Sequence, residues 1–116
     1  MIVVTAEQMR ELDRLTIQQY GVASLTLMER AGAGIAQAIV ERFPRNAKKG
    51  VLIVAGKGNN GGDGFVVARL LKKKRIPCEV VLLARQDELS PDATHNLRAF
   101  VKLKGKVSEI DRKSVV

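Results

Sequence analysis

Aromatic residues and cysteine are scarce in this chain of 116 residues, which has three phenylalanines, one tyrosine, no tryptophan and a single cysteine. The hydrophobic core must therefore be aliphatic, and an aliphatic core favours buried parallel strands flanked by helices. The lone thiol excludes a disulfide within the chain. Because neither histidine nor aspartate lies near Cys78 in the sequence, we interpret it as a small buried hydrophobic residue rather than a nucleophile.

Long apolar runs are absent as well. No stretch approaches the length needed to span a bilayer. The opening residues, Met1 to Thr5, lack the basic region and the long apolar stretch of a signal peptide. We therefore expect a cytoplasmic protein with no membrane partner, in a compartment that keeps thiols reduced.

Acidic residues are outnumbered, with 12 against 20 basic ones, and the formal net charge is +8. Such a balance suits phosphorylated metabolites and nucleic acids as partners. The basic residues form two clusters, from Arg69 to Arg75 and from Lys102 to Lys106, where we place the C-termini of helices. Cations at these positions complement the helix dipole, so we interpret both clusters as solvated helix ends.

The hydrophobic spacing predicts one α/β domain over residues 1–116. Continuous β-branched runs predict strands at 51–55 and 79–84, and a short third strand is expected around Val107. Glycines and alanines at 31–34, in the second of the four helices expected, would let another backbone approach that helix closely. Four helices are expected: from Thr5, where Gln8 completes a capping box, to Tyr20; from Ser24 or Thr26 to Phe43; over 65–74; and from a cap at Ser90 to Gly105.

A glycine-rich loop at 56–64 follows the first strand and precedes a helix, which is the order that phosphate binding requires. The pattern Gly-x-Gly-x-x-Gly, beginning at Gly56, fits the dinucleotide-binding fingerprint. That fingerprint also has a ribose-binding acid at the end of the next strand, where this chain has Arg85. A P-loop is excluded, because no Gly-Lys-Ser/Thr closes the motif.

The polar residues of the loop are more informative than its glycines. The amides of Asn59 and Asn60 can donate and accept at once, and therefore suit contacts to ribose, amide groups or a cation. Asp63 has two interpretations that the sequence leaves open. It either caps the following helix or, paired with a hydroxyl donor or a cation, contacts the ligand.

The segment from Gly56 to Leu71 reads Gly-x-Gly-Asn-Asn-Gly-Gly-Asp-Gly-Phe-Val-x-Ala-Arg-x-Leu, and it resembles the hallmark of the YjeF N-terminal family, the NAD(P)HX epimerases. Thr5, residues 8–13 and residues 27–32 are similar to the opening of that family, so that the resemblance covers residues 3–105. It implies a Rossmann-like three-layer αβα fold with a parallel sheet. It also implies an isomerase that equilibrates the R and S forms of hydrated NAD(P)H, so that an ADP- or ATP-dependent dehydratase, fused in many bacteria, can restore the cofactor.

The same resemblance assigns roles to residues of the loop. Asn60 would help to coordinate a potassium ion, for which a neutral amide oxygen is a suitable ligand. The family domain continues past the segment matched here and carries its catalytic aspartate in that later part, so we expect residues 1–116 to form only the N-terminal part of the domain. The residues expected to bind NADHX or NADPHX are Asn59, Asn60, Gly61, Gly62 and Asp63.

Two other functions are weighed against the epimerase. One is a non-catalytic module of the same fold, associated with a nucleotide or RNA and dimerising, a use for which the fold looks to have been recruited in the eukaryotic enhancer-of-decapping proteins. It is disfavoured because the two basic clusters contain no stacking aromatic residue. The other, an ordinary NAD(P)-dependent dehydrogenase, lacks its ribose-binding acid. We expect a homodimer, in which the small residues of the second helix take part, and we interpret His95 as a surface residue.

Overall fold

The computed structural model describes residues 5, 7, 8 and 24–110 of the chain. Its centre is a sheet of three parallel strands in the order β1 (Val51–Ala55), β2 (Cys78–Leu82) and β3 (Lys106–Glu109). The register aligns Ile53 with Val80, and Val80 with Val107, so these three side chains share one face. The third strand is confirmed, and the second ends at residue 82 rather than at 84.

Within residues 24–110, four helices accompany the sheet: α1 (Ser24–Arg42), α2 (Pro44–Lys49), α3 (Asn60–Lys73) and α4 (Pro91–Lys102), with a 3₁₀ turn at Gln86–Glu88. The short helix α2 was not expected from the sequence. Pro44 ends α1, as its restriction on the preceding residue requires, but it also occupies the first position of a new helix, where the missing N–H of proline costs nothing.

The start of α3 corrects the prediction of a helix over 65–74. The helix begins at Asn60, so its first turn is made of loop residues with poor intrinsic helix propensity. The reason is tertiary contact, because α1, the end of β1 and α4 surround this turn closely. The glycine-rich motif is therefore partly a loop and partly the first turn of a helix.

The predicted cap at the start of the chain is confirmed. The backbone N–H of Thr5 donates to Oε1 of Gln8 at 2.9 Å, and the backbone N–H of Gln8 donates to Oγ1 of Thr5 at 3.1 Å. These reciprocal bonds form a capping box. The remainder of the helix expected up to Tyr20 lies outside the described residues.

Helix α3 lies at the centre of the core. One side, with Phe65 and Ala68, packs on β2 and on Leu97 and Phe100 of α4, while another packs Val67 and Leu71 against α1. At the crossing of α1 and α3, a Cβ added to Gly32 would lie 2.3 Å from Cγ1 of Val66. This close approach confirms the expected packing role for Gly32, whereas Ala31, Ala33 and Gly34 are exposed.

Helices α1, α3 and α4 run parallel to one another. Ser24, at the start of α1, donates a hydrogen bond to the carboxylate of Asp92, at the start of α4. Met28 contacts the first turn of α3 at Gly62, and Ala36, a little more than two turns later, packs beside Leu71. All three N-termini consequently meet at the edge of the sheet where the parallel strands end, which is where α/β proteins bind ligands.

The parallel sheet and its flanking helices form the expected α/β, Rossmann-like fold. The described helices α1, α3 and α4 share the face of the sheet that carries Val80 and Leu82. On the opposite face of β1, the side chains of Leu52 and Val54 are 62% and 60% exposed. Within residues 24–110 and the few described before them, no helix combines the length and apolarity needed to cross a bilayer.

Candidate functional site

The glycine-rich loop leaves β1 at Ala55 and turns at Gly58, whose φ of 67° lies in the left-handed region that glycine adopts without strain. The N–H of Gly58 donates to the carbonyl oxygen of Glu88 at 3.0 Å, and Gly58 forms a parallel β-bridge with Leu89. The loop is therefore attached to the segment that precedes α4. Its support therefore comes from this segment as well as from β1 and α3, which it connects.

Two glycines in the first turn of α3 are required by packing alone. A Cβ at Gly61 would lie 2.5 Å from the carbonyl oxygen of Gly56, and one at Gly62 would lie 2.4 Å from Sδ of Met28. The N–H of Gly62 also donates to the carbonyl oxygen of Asn59 at 3.0 Å. Gly62 thus has its backbone donor occupied, and the space that a side chain would fill there is taken by Met28.

Asn59 occupies the N-cap position of α3, but its side chain does not cap that helix. Its Oδ1 instead accepts a hydrogen bond from the hydroxyl of Ser90. The same hydroxyl accepts the backbone N–H of Ala93 at 3.1 Å and so caps α4, as predicted. A chain of two hydrogen bonds therefore links the N-terminus of α4 to the loop.

Ser90 was predicted as a helix cap and not as a site residue. The sequence does contain the helix-start signal Ser-Pro-Asp, but nothing in it shows that this start lies against a loop 31 residues earlier. Glu88 and Leu89 were missed for the same reason, because they contact the loop through backbone groups, which leave no trace in side-chain pattern.

Asp63 is the fourth residue of α3, so the interpretation that it caps this helix is wrong: the N-cap position belongs to Asn59. Its carboxylate is partly buried, and desolvation raises its pKa above the usual value. The dipole of α3 favours a negative charge in this first turn. Asp63 thus stands in the first turn of the same helix as Asn60, the first residue of α3.

Other candidate groups stay out of the site. Arg85, which replaces the ribose-binding acid, is exposed and lies 3.4 Å from the carboxylate of Asp87. His95 is exposed, as expected. Burial raises the pKa of Cys78 to about 11, and its side chain packs against the core, so it is a thiol at neutral pH. The described residues contain no cluster of three His, Cys, Asp or Glu side chains that would hold a metal ion.

Comparisons with known proteins identify relatives of this chain. The family described as YjeF-related protein N-terminus matches residues 24–115. The bifunctional NAD(P)H-hydrate repair enzyme Nnr of Salinibacter ruber is 48% identical over 101 residues, which are 87% of this chain and 19% of that protein. The NAD(P)H-hydrate epimerase of Oenococcus oeni is 42% identical over 97 residues, which are 84% of this chain and 46% of the epimerase.

Among solved structures, the crystal structure of yeast ynu0 superposes with a TM-score of 0.77 at 31% sequence identity and covers 96% of this chain and 48% of the yeast chain. The chain thus spans about half the length of the epimerase and of the yeast protein, and about a fifth of the bifunctional enzyme. The match over residues 24–115 identifies the chain as a member of the YjeF N-terminal family.

Proposed function

We propose that this chain forms the nucleotide-binding part of an NAD(P)H-hydrate epimerase, which interconverts the R and S forms of hydrated NAD(P)H during cofactor repair. The observation that carries the proposal is the loop 56–64, which lies where β1 ends and is joined to the N-termini of α3 and α4. The names of the Salinibacter and Oenococcus relatives support the reaction. The catalytic residue is expected outside residues 1–116.

An anion suits this edge of the sheet. The first turn of a helix has backbone N–H groups without partners in the helix, and its dipole adds a partial positive charge. Here two such ends, those of α3 and α4, are coupled through Asn59 and Ser90. Gly61 and Gly62 let the first turn of α3 pack closely against Gly56 and Met28, which keeps this helix end at the edge of the sheet. We infer that the pyrophosphate of the dinucleotide binds here.

The five loop residues have separate tasks in this proposal. Asn59 and Asn60 contact the phosphates and ribose, and Gly61 and Gly62 form the closely packed turn of backbone beside them. A carboxylate near a phosphate is unfavourable unless a hydroxyl donor or a cation accompanies it. Asp63, half-buried and four residues into α3, is therefore proposed to accept a hydrogen bond from a ribose hydroxyl.

A potassium ion at Asn60 belongs to the same proposal. An amide oxygen is a chemically suitable ligand for potassium, and Asn60 is the first residue of α3. The positive end of a helix repels a cation, so bound anionic groups or further oxygen ligands have to offset that repulsion. When bound, the ion would supply positive charge beside the ligand, and Asn60 is the residue of this chain proposed to hold it.

The proposal extends to partners. The Salinibacter and Moorella relatives are named as bifunctional repair enzymes, and we propose that a dehydratase, fused or separate, consumes the epimer produced here. A homodimer and a cytoplasmic location stay predictions. Leu25 and Ile35 of α1, 36% and 47% exposed among the described residues, are available to a dimer interface.

The experiment uses the full-length protein that contains this chain. Hydrated NADPH should raise its melting temperature, and (R)-NADPHX should convert to the S form when followed by chromatography. Asn60→Ala should abolish the thermal shift with the fold retained by circular dichroism. The matched control is Asn46→Ala, at an exposed position of α2, which should keep the shift. An undiminished shift in the melting temperature of Asn60→Ala would contradict the assignment of Asn60 to the site.

The RNA-associated alternative has one supporting observation. Helices α1, α3 and α4 all end at the opposite side of the molecule, and each has a basic residue in its last turn. These cations also offset three aligned helix dipoles, which explains them without a partner. Binding of a single-stranded RNA that weakens steeply with salt, at low protein concentration, would reverse the order of the two functions.

A further inference from the structure

The side chain of Asn59 can present either its oxygen or its nitrogen to a ligand, and these two orientations recognise different chemistry. An amide oxygen accepts hydrogen bonds or ligates a cation, whereas the amide nitrogen has two hydrogens to donate. The sequence leaves this choice open. In the structure it is Oδ1 that lies against the hydroxyl of Ser90.

A serine hydroxyl has one hydrogen and two acceptor sites. Ser90 uses an acceptor site for the backbone N–H of Ala93 at 3.1 Å and gives its hydrogen to Oδ1 of Asn59. With Oδ1 engaged, the planar amide of Asn59 keeps Nδ2 and its two hydrogens for other partners. Because the Ala93 N–H belongs to the positive end of α4, hydrogen bonds in this chain polarise one another in the direction that strengthens donation by Nδ2.

Backbone contacts hold the two residues in register. The N–H of Gly58 donates to the carbonyl oxygen of Glu88 at 3.0 Å, Gly58 bridges with Leu89, and the N–H of Ser90 approaches the carbonyl oxygen of Gly58 at 3.5 Å. Ser90 is therefore carried alongside Asn59 by a short length of parallel pairing. This support distinguishes the bond from a chance contact between two exposed side chains.

We propose that Ser90 is a positioning residue, which holds the Asn59 amide so that Asn59 acts as a hydrogen-bond donor to phosphate or ribose oxygens of the bound nucleotide. The identity of the ligand rests on the proposed function, but the orientation of the amide does not. Asn59 therefore donates hydrogen bonds through Nδ2, and an oxygen ligand for a cation has to come from another residue.

The test separates the hydroxyl from the helix cap. Ser90→Gly removes the hydroxyl, and glycine is tolerated at an N-cap with a loss of only a few tenths of a kcal/mol, so α4 should persist. Ser90→Thr restores a hydroxyl. The matched control is Ser24→Ala, which removes another serine hydroxyl at a helix start, one that donates to Asp92 and not to Asn59.

Two readouts are needed on the full-length protein. With ¹⁵N-asparagine labelling, the side-chain amide signals of Asn59, identified by their loss in Asn59→Asp, should move towards the positions of a solvated amide in Ser90→Gly. They should stay in place in Ser90→Thr and Ser24→Ala. The dissociation constant for hydrated NADPH should rise about tenfold in Ser90→Gly, as the loss of one oriented hydrogen bond implies, and should recover in Ser90→Thr.

The outcomes distinguish the two claims. Unchanged Asn59 signals in Ser90→Gly overturn the positioning role, whatever the ligand does. If the unaltered protein does not bind hydrated NADPH, the proposed function fails, while the amide signals still decide whether Ser90 orients Asn59. A moved signal with unchanged affinity also overturns the inference, because the orientation would then have no part in binding.

Discussion

Gly32 and Gly34 lie two residues apart in α1, and the same substitution should have opposite effects at the two positions. A Cβ at Gly32 would lie 2.3 Å from Cγ1 and 2.5 Å from Cβ of Val66, which is fully buried. A Cβ at Gly34 would have no neighbour within 4 Å among the described residues. Alanine gains about 1 kcal/mol over glycine in a helix interior, and this gain applies at both sites.

The difference between the sites is steric. Val66 is β-branched and enclosed, so it has no room to rotate away, and α1 and α3 have to separate in Gly32→Ala. Overpacking of this kind costs about 1–3 kcal/mol. Because the contact is severe, we take the upper part of that range, and after the helix gain Gly32→Ala should lose about 1–2 kcal/mol of stability. Gly34→Ala should gain about 0.5–1 kcal/mol.

The assay is urea denaturation followed by far-ultraviolet circular dichroism, with stability read from the midpoint at an unchanged slope. The double variant should lie near the sum of the two single variants, because residues two apart in a helix do not face each other and the two positions share no neighbour. A Gly32→Ala protein as stable as the wild type would refute the claim that α1 and α3 touch at the backbone. It would also remove the tertiary explanation for the early start of α3.

Three further predictions concern single side chains. Since the pKa of Cys78 is raised to about 11, its alkylation by iodoacetamide should be slow at neutral pH and accelerate about tenfold per pH unit through pH 10; a plateau near pH 8.5 would contradict its burial. Asp63 has a folded pKa above its unfolded value, so the folded state binds more protons and stability falls as pH rises through that window. Asp63→Asn should therefore be more stable than the wild type at pH 7, with the difference vanishing as pH falls below about 4, near the unfolded pKa of aspartate; equal urea midpoints at pH 7 would contradict this. Phe100 has no exposed surface, so Phe100→Ala should lower the free energy of unfolding by about 3–5 kcal/mol. Val101 is half-exposed on the same helix, so Val101→Ala should change the urea midpoint little.

Local signals in the sequence were sufficient for part of the fold. The β-branched run 51–55 and the cap at Ser90 carry their structure within a few residues, and both were predicted correctly. The start of α3 could not be predicted in the same way. Residues 60–64 contain three glycines, which have low helix propensity, and they become helical because Met28, Gly56 and Ala93 enclose them.

The candidate site likewise has one part that local sequence signals predict and another part that they do not. The loop was recognised from its own residues, since glycines and amides after a strand have a direct chemical meaning. The support from Glu88, Leu89 and Ser90 was not recognised, because it depends on two segments meeting in space. For Asp63 the sequence alone permits two interpretations, and the start of α3 at Asn60 excludes the one in which Asp63 caps this helix.

The bridge between Gly58 and Leu89 also determines when the loop takes its shape during synthesis. The ribosome makes Asn59 31 residues before Ser90, and chains are built from the N-terminus. While α3 and β2 are already present, the loop lacks the segment that holds it. Its ordering is thus a late event, complete only when α4 docks. Cleavage by trypsin at the exposed Lys57 would report this step, since nascent chains should be cut there before α4 has left the ribosome and far more slowly afterwards.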